Sequence, residues 1–181
     1  MTQTITRSYE TYATARSVVE QLEASGVASA DISLVGRDEA VVDPDRDSNA
    51  GEGAGIGAAL GGAAGLLAGL GMIAIPGVGP VVAAGWLAST AAGAVAGGAA
   101  GGIVGAMTSA GVDERDAHYY AETVRRGGSV VSVRASDSQV AAVEAIMDGA
   151  VPIDMSDRRS AYEQEGWSRF DEQAPPYRPG V

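Results

Sequence analysis

The sequence predicts an α+β fold: a small domain of strands and helices with a helical hairpin inserted in its middle. Three observations predict it. Alternating and amphipathic segments follow one another as β-α-β before residue 37 and again after residue 128. Between them, Gly53 to Val112 carries no charged residue. Within that run small residues recur every fourth position, broken once at Ile75-Pro76-Gly77-Val78-Gly79-Pro80.

Taken in order, Gln3 to Arg7 alternates Thr and Ile as a short strand does. A helix from Tyr9 to Ser25 follows, with Tyr12, Ala15, Val18, Val19 and Leu22 on one face and Gly26 as its stop. Asp31 to Gly36 reads as the second strand. Asp38 to Glu52 is an acidic linker, six acids against one Arg, with Pro44 and Gly51 as breakers. After the hairpin, Asp113 is placed as an N-cap with Asp116 at the N3 place of a capping box. The helix Glu114 to Arg126 ends in cations and then Gly127-Gly128. Ser129 to Arg134 is the third strand. Asp137 is expected to cap a helix bearing Val140, Val143 and Ile146, stopped by Gly149. Val151 to Met155 is read as the fourth strand, and Pro152 puts it at an edge.

With the insert set aside, this is the ferredoxin-like, split βαβ order, whose sheet runs 4-1-3-2. The expected organisation is therefore residues 1–37 as the first half of that domain, 38–52 as linker, and 53–112 as insert between strands 2 and 3. Residues 113–155 supply a helix and the second half, and 156–181 an extended tail with the aromatics Tyr162, Trp167, Phe170 and Tyr177.

The insert is read as an antiparallel glycine-zipper hairpin. Its seam is Gly53, Gly57, Gly61, Gly65 and Gly69 on one arm, and Gly85, Ser89, Gly93, Gly97, Gly101, Gly105 and Ser109 on the other. A period of four sets small residues on one stripe, so two helix backbones can approach closely. Pro76, Gly77, Gly79 and Pro80 make the turn. Ala54 to Ala74 would form about 31 Å of helix, enough for a hydrocarbon core of about 30 Å. Only seven of those residues are strongly apolar, and the rest are Gly or Ala, which gain little from lipid. An uncharged hairpin must still leave water. Three burials satisfy it: insertion in a membrane, a shared core built from the hairpins of several copies, or folding back onto its own domain.

Composition narrows the function. The net charge of −11 argues against nucleic acid, whose phosphates need a basic surface. Without Cys or Lys there is no thiolate or Schiff-base chemistry and no P-loop lysine. No position satisfies G-x-G-x-x-G, so nucleotide binding is rejected. Asp43, Asp45, Asp47 and Asn49 have the alternate spacing of a calcium loop, but Ser48 and Ala54 stand where a Gly and an acid are needed; a solvated acidic linker is the better reading. His118 stands alone, and Glu20 and Glu23 read as an exposed helix face. No catalytic constellation is apparent and no cofactor is expected. Met1-Thr2-Gln3-Thr4 lacks the basic and apolar regions of an export signal, so the expected location is cytoplasmic. If the hairpin enters the inner membrane, both termini stay on the cytoplasmic side. The tail, through Trp167, Phe170 and Tyr177, is a candidate docking peptide for a protein partner.

Several stretches together carry a resemblance: Tyr9-Glu10-Thr11-Tyr12, Asp31-Ile32-Ser33-Leu34-Val35, the break Ile75-Pro76-Gly77-Val78-Gly79-Pro80, and Arg126-Gly127-Gly128-Ser129-Val130-Val131-Ser132-Val133. Over about residues 3–155 the chain resembles the bacterial general stress protein 17M-like (heat-induced stress protein YflT-like) family. The resemblance implies a stress-associated bacterial protein without catalysis and offers no catalytic residues to carry over. The leading expectation is a non-enzymatic protein whose hairpin enters or coats the membrane and self-associates. A homo-oligomeric scaffold and a ferredoxin-like ligand-binding regulatory domain are the alternatives.

Overall fold

A computed structural model describes residues 2–37, 71–75, 78–90, 102–174 and 177. It is an α+β structure built on one antiparallel sheet. The elements are β1 (Thr2–Tyr9), α1 (Tyr12–Ala24), β2 (Ile32–Gly36), β3 (Gly71–Ile75), β4 (Gly79–Gly85), α2 (Gly102–Ser109), α3 (Glu114–Arg125), β5 (Ser129–Ser136), α4 (Val140–Gly149) and α5 (Met155–Gln164). Residues 86–90 are also helical. The five strands lie in the order β1-β5-β2-β4-β3.

The centre of the sheet follows the sequence closely. β5 lies between β1 and β2 and is antiparallel to both, so β1-α1-β2 is a split βαβ unit. This is compatible with a ferredoxin-like arrangement. Alternation along the strands sorts side chains onto two faces. Ile5, Tyr9, Ile32, Leu34, Val131 and Val133 face α1 and α4 in one apolar layer. α1 starts at Thr11, whose side chain accepts from the Thr14 N–H, and stops where Gly26 turns to φ +93°. Its Val18, Val19 and Leu22 are wholly buried. Each such side chain is worth about 1.5–3 kcal/mol, so this helix is held by its face rather than its propensity.

The other face carries Val35, Val81, Ala83 and Val130 under α2, α3 and the C-terminal segment. It also carries small hydroxyls. Thr6 and Ser132 share a 2.9 Å hydrogen bond across the β1–β5 pair, and the Ser8 hydroxyl lies 3.3 Å from that of Tyr119. Both faces of the sheet are thus covered by helices of the same chain.

The described part of the insert departs from expectation. Residues 71–75 and 79–85 are not helical arms but two paired strands, with Ile75 opposite Gly79 and Gly71 opposite Ala83. The antiparallel pairing joins β3 to β4. β4 then extends the sheet by pairing with β2, Leu34 opposite Ala84. The physical reason lies in the flanks of the break. Met72-Ile73-Ala74-Ile75 and Val81-Val82 are short, β-branched apolar runs, which suit a buried strand as well as a helix. Val78, Val81, Val82, Ala83 and Ala84 are all buried.

Two further expectations change at the C-terminal end. Val151 to Met155 is not a strand. Val151 holds φ +53°, Pro152 has no N–H to donate, and the segment gives β1 one backbone bond, Ile153 N–H to Ser8 O at 2.8 Å. The tail is not extended throughout either. Asp154 accepts from the Asp157 N–H and starts α5, a helix that the prolines further on obscured in the sequence. Asp113 does cap α3, but Asp116 turns instead to Arg159. α4 begins at Val140, and the residue at its N-cap position is Gln139, not Asp137.

Candidate interaction surfaces

α3 is the post to which the C-terminal segment is tied. One side of it buries Ala117, Tyr120, Ala121 and Val124 against the sheet. The Tyr120 hydroxyl donates to Thr6 O at 2.9 Å. Burial pushes the phenols of Tyr9 and Tyr120 well above the usual tyrosine range, and the positive charge of Arg7 only partly offsets this. An aromatic chain then leads outward. Tyr119 and Tyr120 meet edge to face at 5.3 Å, Tyr119 lies 6.0 Å from Tyr162, and Tyr162 lies 6.0 Å from Trp167. Tyr162 and Phe170 are buried, so these tail aromatics pack on their own domain.

A charged collar surrounds that chain. Glu122 is 1% exposed, yet it is clamped by Arg125 at 2.6 and 2.8 Å and by Arg126 at 2.6 Å. Arg126 also pairs with Glu165 and covers the Tyr162 ring at 4.1 Å. Burial works against the charge on Arg126, but the hydrogen bonds it donates to Glu165 and Glu122 outweigh this and leave the guanidinium above its ordinary pKa. Arg159 reaches Asp116 at 2.6 Å and lies over Tyr119. Tyr177 sits 5.3 Å from the Arg125 guanidinium and 5.0 Å from that of Arg126. Such a triad is a lock more than a source of stability: removing one member strands the others in a dry site. Sequence reading passed over Glu122, although the i+3 and i+4 spacing to Arg125 and Arg126 was there to be seen.

Between α2, α3 and the segment after α5 lies an open cleft of about 1260 Å³, lined by Val104, Thr108, His118, Trp167, Phe170 and Glu172 among others. His118 Nε2 is 3.8 Å from exposed Glu114. Among the described residues, the buried His118 Nδ1 and Trp167 Nε1 have no hydrogen-bond partner. Among the described residues no group of three or more His, Cys, Asp or Glu could hold a metal ion.

The predicted seam is only partly in view. Gly53, Gly57, Gly61, Gly65, Gly69, Gly93, Gly97 and Gly101 lie outside the described residues, as do Pro76 and Gly77 of the turn and the acidic Asp43, Asp45, Asp47 and Asn49. Gly85 is not a helix-seam residue. It ends β4 at φ +83°, where an added Cβ would stand 2.1 Å from Ile32 O. Gly79 and Pro80 open β4. The Ser89 hydroxyl donates to Trp86 O and that of Ser109 to Gly105 O, each within its own helical turn. Gly105 has open space beside it, at the cleft. Among the described residues no helix is long and apolar enough to cross a membrane.

The two sheet edges differ. At β1, Ser8 O receives Ile153 N–H, and Thr6 O receives Tyr120 Oη and Arg7 Nη1. At β3, no described strand pairs with the outer side. A search among protein-family models finds no match, and neither a curated protein nor a solved structure matches the chain.

Proposed function

We propose that the chain is a non-enzymatic, self-associating module of the bacterial cytoplasm. In this reading a ferredoxin-like body carries a charge-free Gly/Ala-rich insert, and the insert joins copies together. The resemblance to general stress proteins makes the association part of a stress response. One observation carries the reading: among the described residues, helices of this chain cover both faces of the sheet around β1, β2 and β5, while the charge-free insert supplies the two strands β3 and β4 at one end of it. A network of buried aromatics and paired ions ties the C-terminal segment to the body, which supports a structural role.

The test is sedimentation velocity on the full chain, with flotation on vesicles in parallel. Self-association predicts a species larger than a monomer at micromolar concentration without detergent. Flotation of most of the protein would move the insert's role to the membrane surface. A monomer that ignores vesicles overturns the reading. A second reading, ligand-binding regulation, draws on the cleft with its unpartnered His118 and Trp167 nitrogens. A ligand there would raise the melting temperature in proportion to its occupancy.

A further inference from the structure

We propose that the C-terminal segment, from α5 onward, is a latch on α2, the last helix of the charge-free insert. The segment docks and α2 folds as one step, and undocking frees the end of the insert for a second copy. The coupling stands on contacts within the chain; its consequence for association rests on the self-association reading. α2 cannot hold itself. Gly102 at φ +36° and Gly111 at φ +89° bound it, which leaves about two turns. Gly105 lies inside it, and Ile103, Val104 and Thr108 are β-branched. A helix of that length and composition is unstable alone in water. It forms because Ile103, Ala106 and Met107, spaced as one helix face, are buried.

α3 supplies part of that burial, and the C-terminal segment supplies the rest. Tyr162 and Phe170 belong to the same buried cluster as Ile103 and Met107, and Trp167 packs against it. Glu172 reaches the first residue of α2: a Cβ added at Gly102 would stand 3.2 Å from its Oε1. A carboxylate there suits the N–H groups that open a helix. The segment itself is fastened by side chains. Among the described residues, the backbone hydrogen bonds of residues 155–174 reach no other strand or helix. Its ion pairs to the body are Arg158–Glu10, Arg159–Asp116, Arg115–Glu163 and Arg126–Glu165, each with at least one partner open to water. Pairs of that kind exchange for water at little cost, so the segment can lift before the sheet unfolds. Lifting it takes one side off the apolar cluster, and Ile103 and Met107 then need another cover. Each copy carries −11, yet residues 102–112 carry no charge, so this is where two copies meet without repulsion.

Hydrogen exchange on the full chain tests the coupling from both sides. Phe170→Ala weakens docking and leaves the sequence of α2 intact. Amides of α2 and α5 should then exchange about tenfold faster together, while α1 and β5 keep their protection. Gly105→Ala works in reverse, because its added Cβ has open space and favours the helix. It should slow exchange about fivefold in α2 and by a similar factor in α5, since coupling is reciprocal. That change adds stability, so it decides the question even where Phe170→Ala unfolds the chain. Protection of α2 that survives the loss of α5, protection of β5 that falls in step with α5, or a Gly105→Ala effect confined to α2 overturns the latch. Sedimentation velocity separates this from the self-association reading. Phe170→Ala should assemble at about tenfold lower concentration than the wild type. Coupled opening in a variant that stays monomeric, as the wild type does, keeps the coupling and overturns self-association. An assembling wild type in which α2 and α5 open independently overturns the latch alone. Coupled opening with assembly no stronger than in the wild type overturns the latch's control of association.

Discussion

At the β1 edge, a tyrosine hydroxyl, a guanidinium and a backbone amide from distant parts of the chain occupy outward-facing carbonyls. At the β3 edge no described group does, and the strand has no charge of its own. The two edges belong to one sheet. The difference teaches that the groups occupying the β1 edge come from parts of the chain far away in sequence, whereas the described partner of β3 is its own hairpin neighbour β4. It also reverses the usual expectation for an inserted segment: here the insert adds two strands to the sheet, and the α/β frame supplies the groups that occupy the opposite edge.

The largest effect that would break this contrast is loss of the β3 edge itself. Gly85 ties β4, and β3 beyond it, to β2. Its positive φ is costly for any residue with a Cβ, and that Cβ would lie 2.1 Å from Ile32 O and 2.8 Å from Ser33 Cα. Gly85→Ala is expected to cost roughly 2–4 kcal/mol. Chemical denaturation should show the loss, and hydrogen exchange should show β4 amides losing protection before those of β5. Unchanged protection of β4 would mean that the β2–β4 junction tolerates a side chain.

That position also marks the limit of what the sequence disclosed. The framework elements β1, α1, β2, α3 and β5 were legible because their periods are clear, and the two helices have clear stops, Gly26 after α1 and Gly127 after α3. That the flanks of the Pro/Gly break run antiparallel was legible too. The type of element on either side was not, because a glycine every fourth residue suggested helices while the adjoining Val and Ile pairs favoured strands. Gly85 fits both patterns, and only β2's backbone decides between them. The guards of β1 were illegible for another reason. Tyr120 meets Thr6 across 114 residues, and Ile153 meets Ser8 by a backbone bond that no side-chain pattern announces. Likewise Met155–Gln164 lacks a strong apolar stripe, and its helix shows itself through Tyr162 and the Arg159–Asp116 pair.

A smaller intervention weakens the guarded edge. Tyr120→Phe keeps the ring and removes the hydroxyl that donates to Thr6 O. The expected loss is about 1 kcal/mol, or a fall of about 2–4 °C in melting temperature for a chain of this size. Arg7 Nη1 still holds the same carbonyl, at 3.0 Å. Arg7→Ala added to Tyr120→Phe should therefore cost more than the sum of the single changes, since only the pair leaves Thr6 O bare. A double-mutant cycle measures this directly. Strict additivity would show that the two donors do not share the task.

Alkaline pH sharpens the comparison without changing the sequence. Burial raises the phenols of Tyr9, Tyr120 and Tyr162 above their unfolded value of 10.0. Above about pH 10 the unfolded chain loses protons that the folded chain keeps, so stability falls as pH rises. The contribution is complete below the unfolded pKa and is lost progressively above it. Half a unit above pH 10, Tyr9 and Tyr120 each remove about 0.8 kcal/mol, and Tyr162 acts in the same direction. Urea titrations from pH 8 to 11 should show this slope, and Tyr120→Phe should make it shallower. A slope unchanged in that variant would place the proton release on other groups.

The smallest expected effect concerns the place where the guard over β1 is thinnest. Val151 is 84% exposed and sits at φ +53°, a backbone region that a β-branched residue enters at a cost of about 1–2 kcal/mol. It is held there because Ile153 must reach Ser8 O while Asp154 starts α5, and the chain has few residues in which to turn. Val151→Gly removes that strain but adds freedom to the unfolded chain, worth about 0.5–1 kcal/mol in the other direction. The balance is a gain of about 0.5 kcal/mol, visible as a rise of about 1–2 °C in melting temperature. Val151→Ala is the control: it trims the exposed side chain yet keeps a Cβ in the same backbone region, so it should recover little. Were the alanine variant to gain as much as the glycine variant, the cost at this position would belong to the exposed isopropyl group, and the turn that carries Ile153 to β1 would be unstrained.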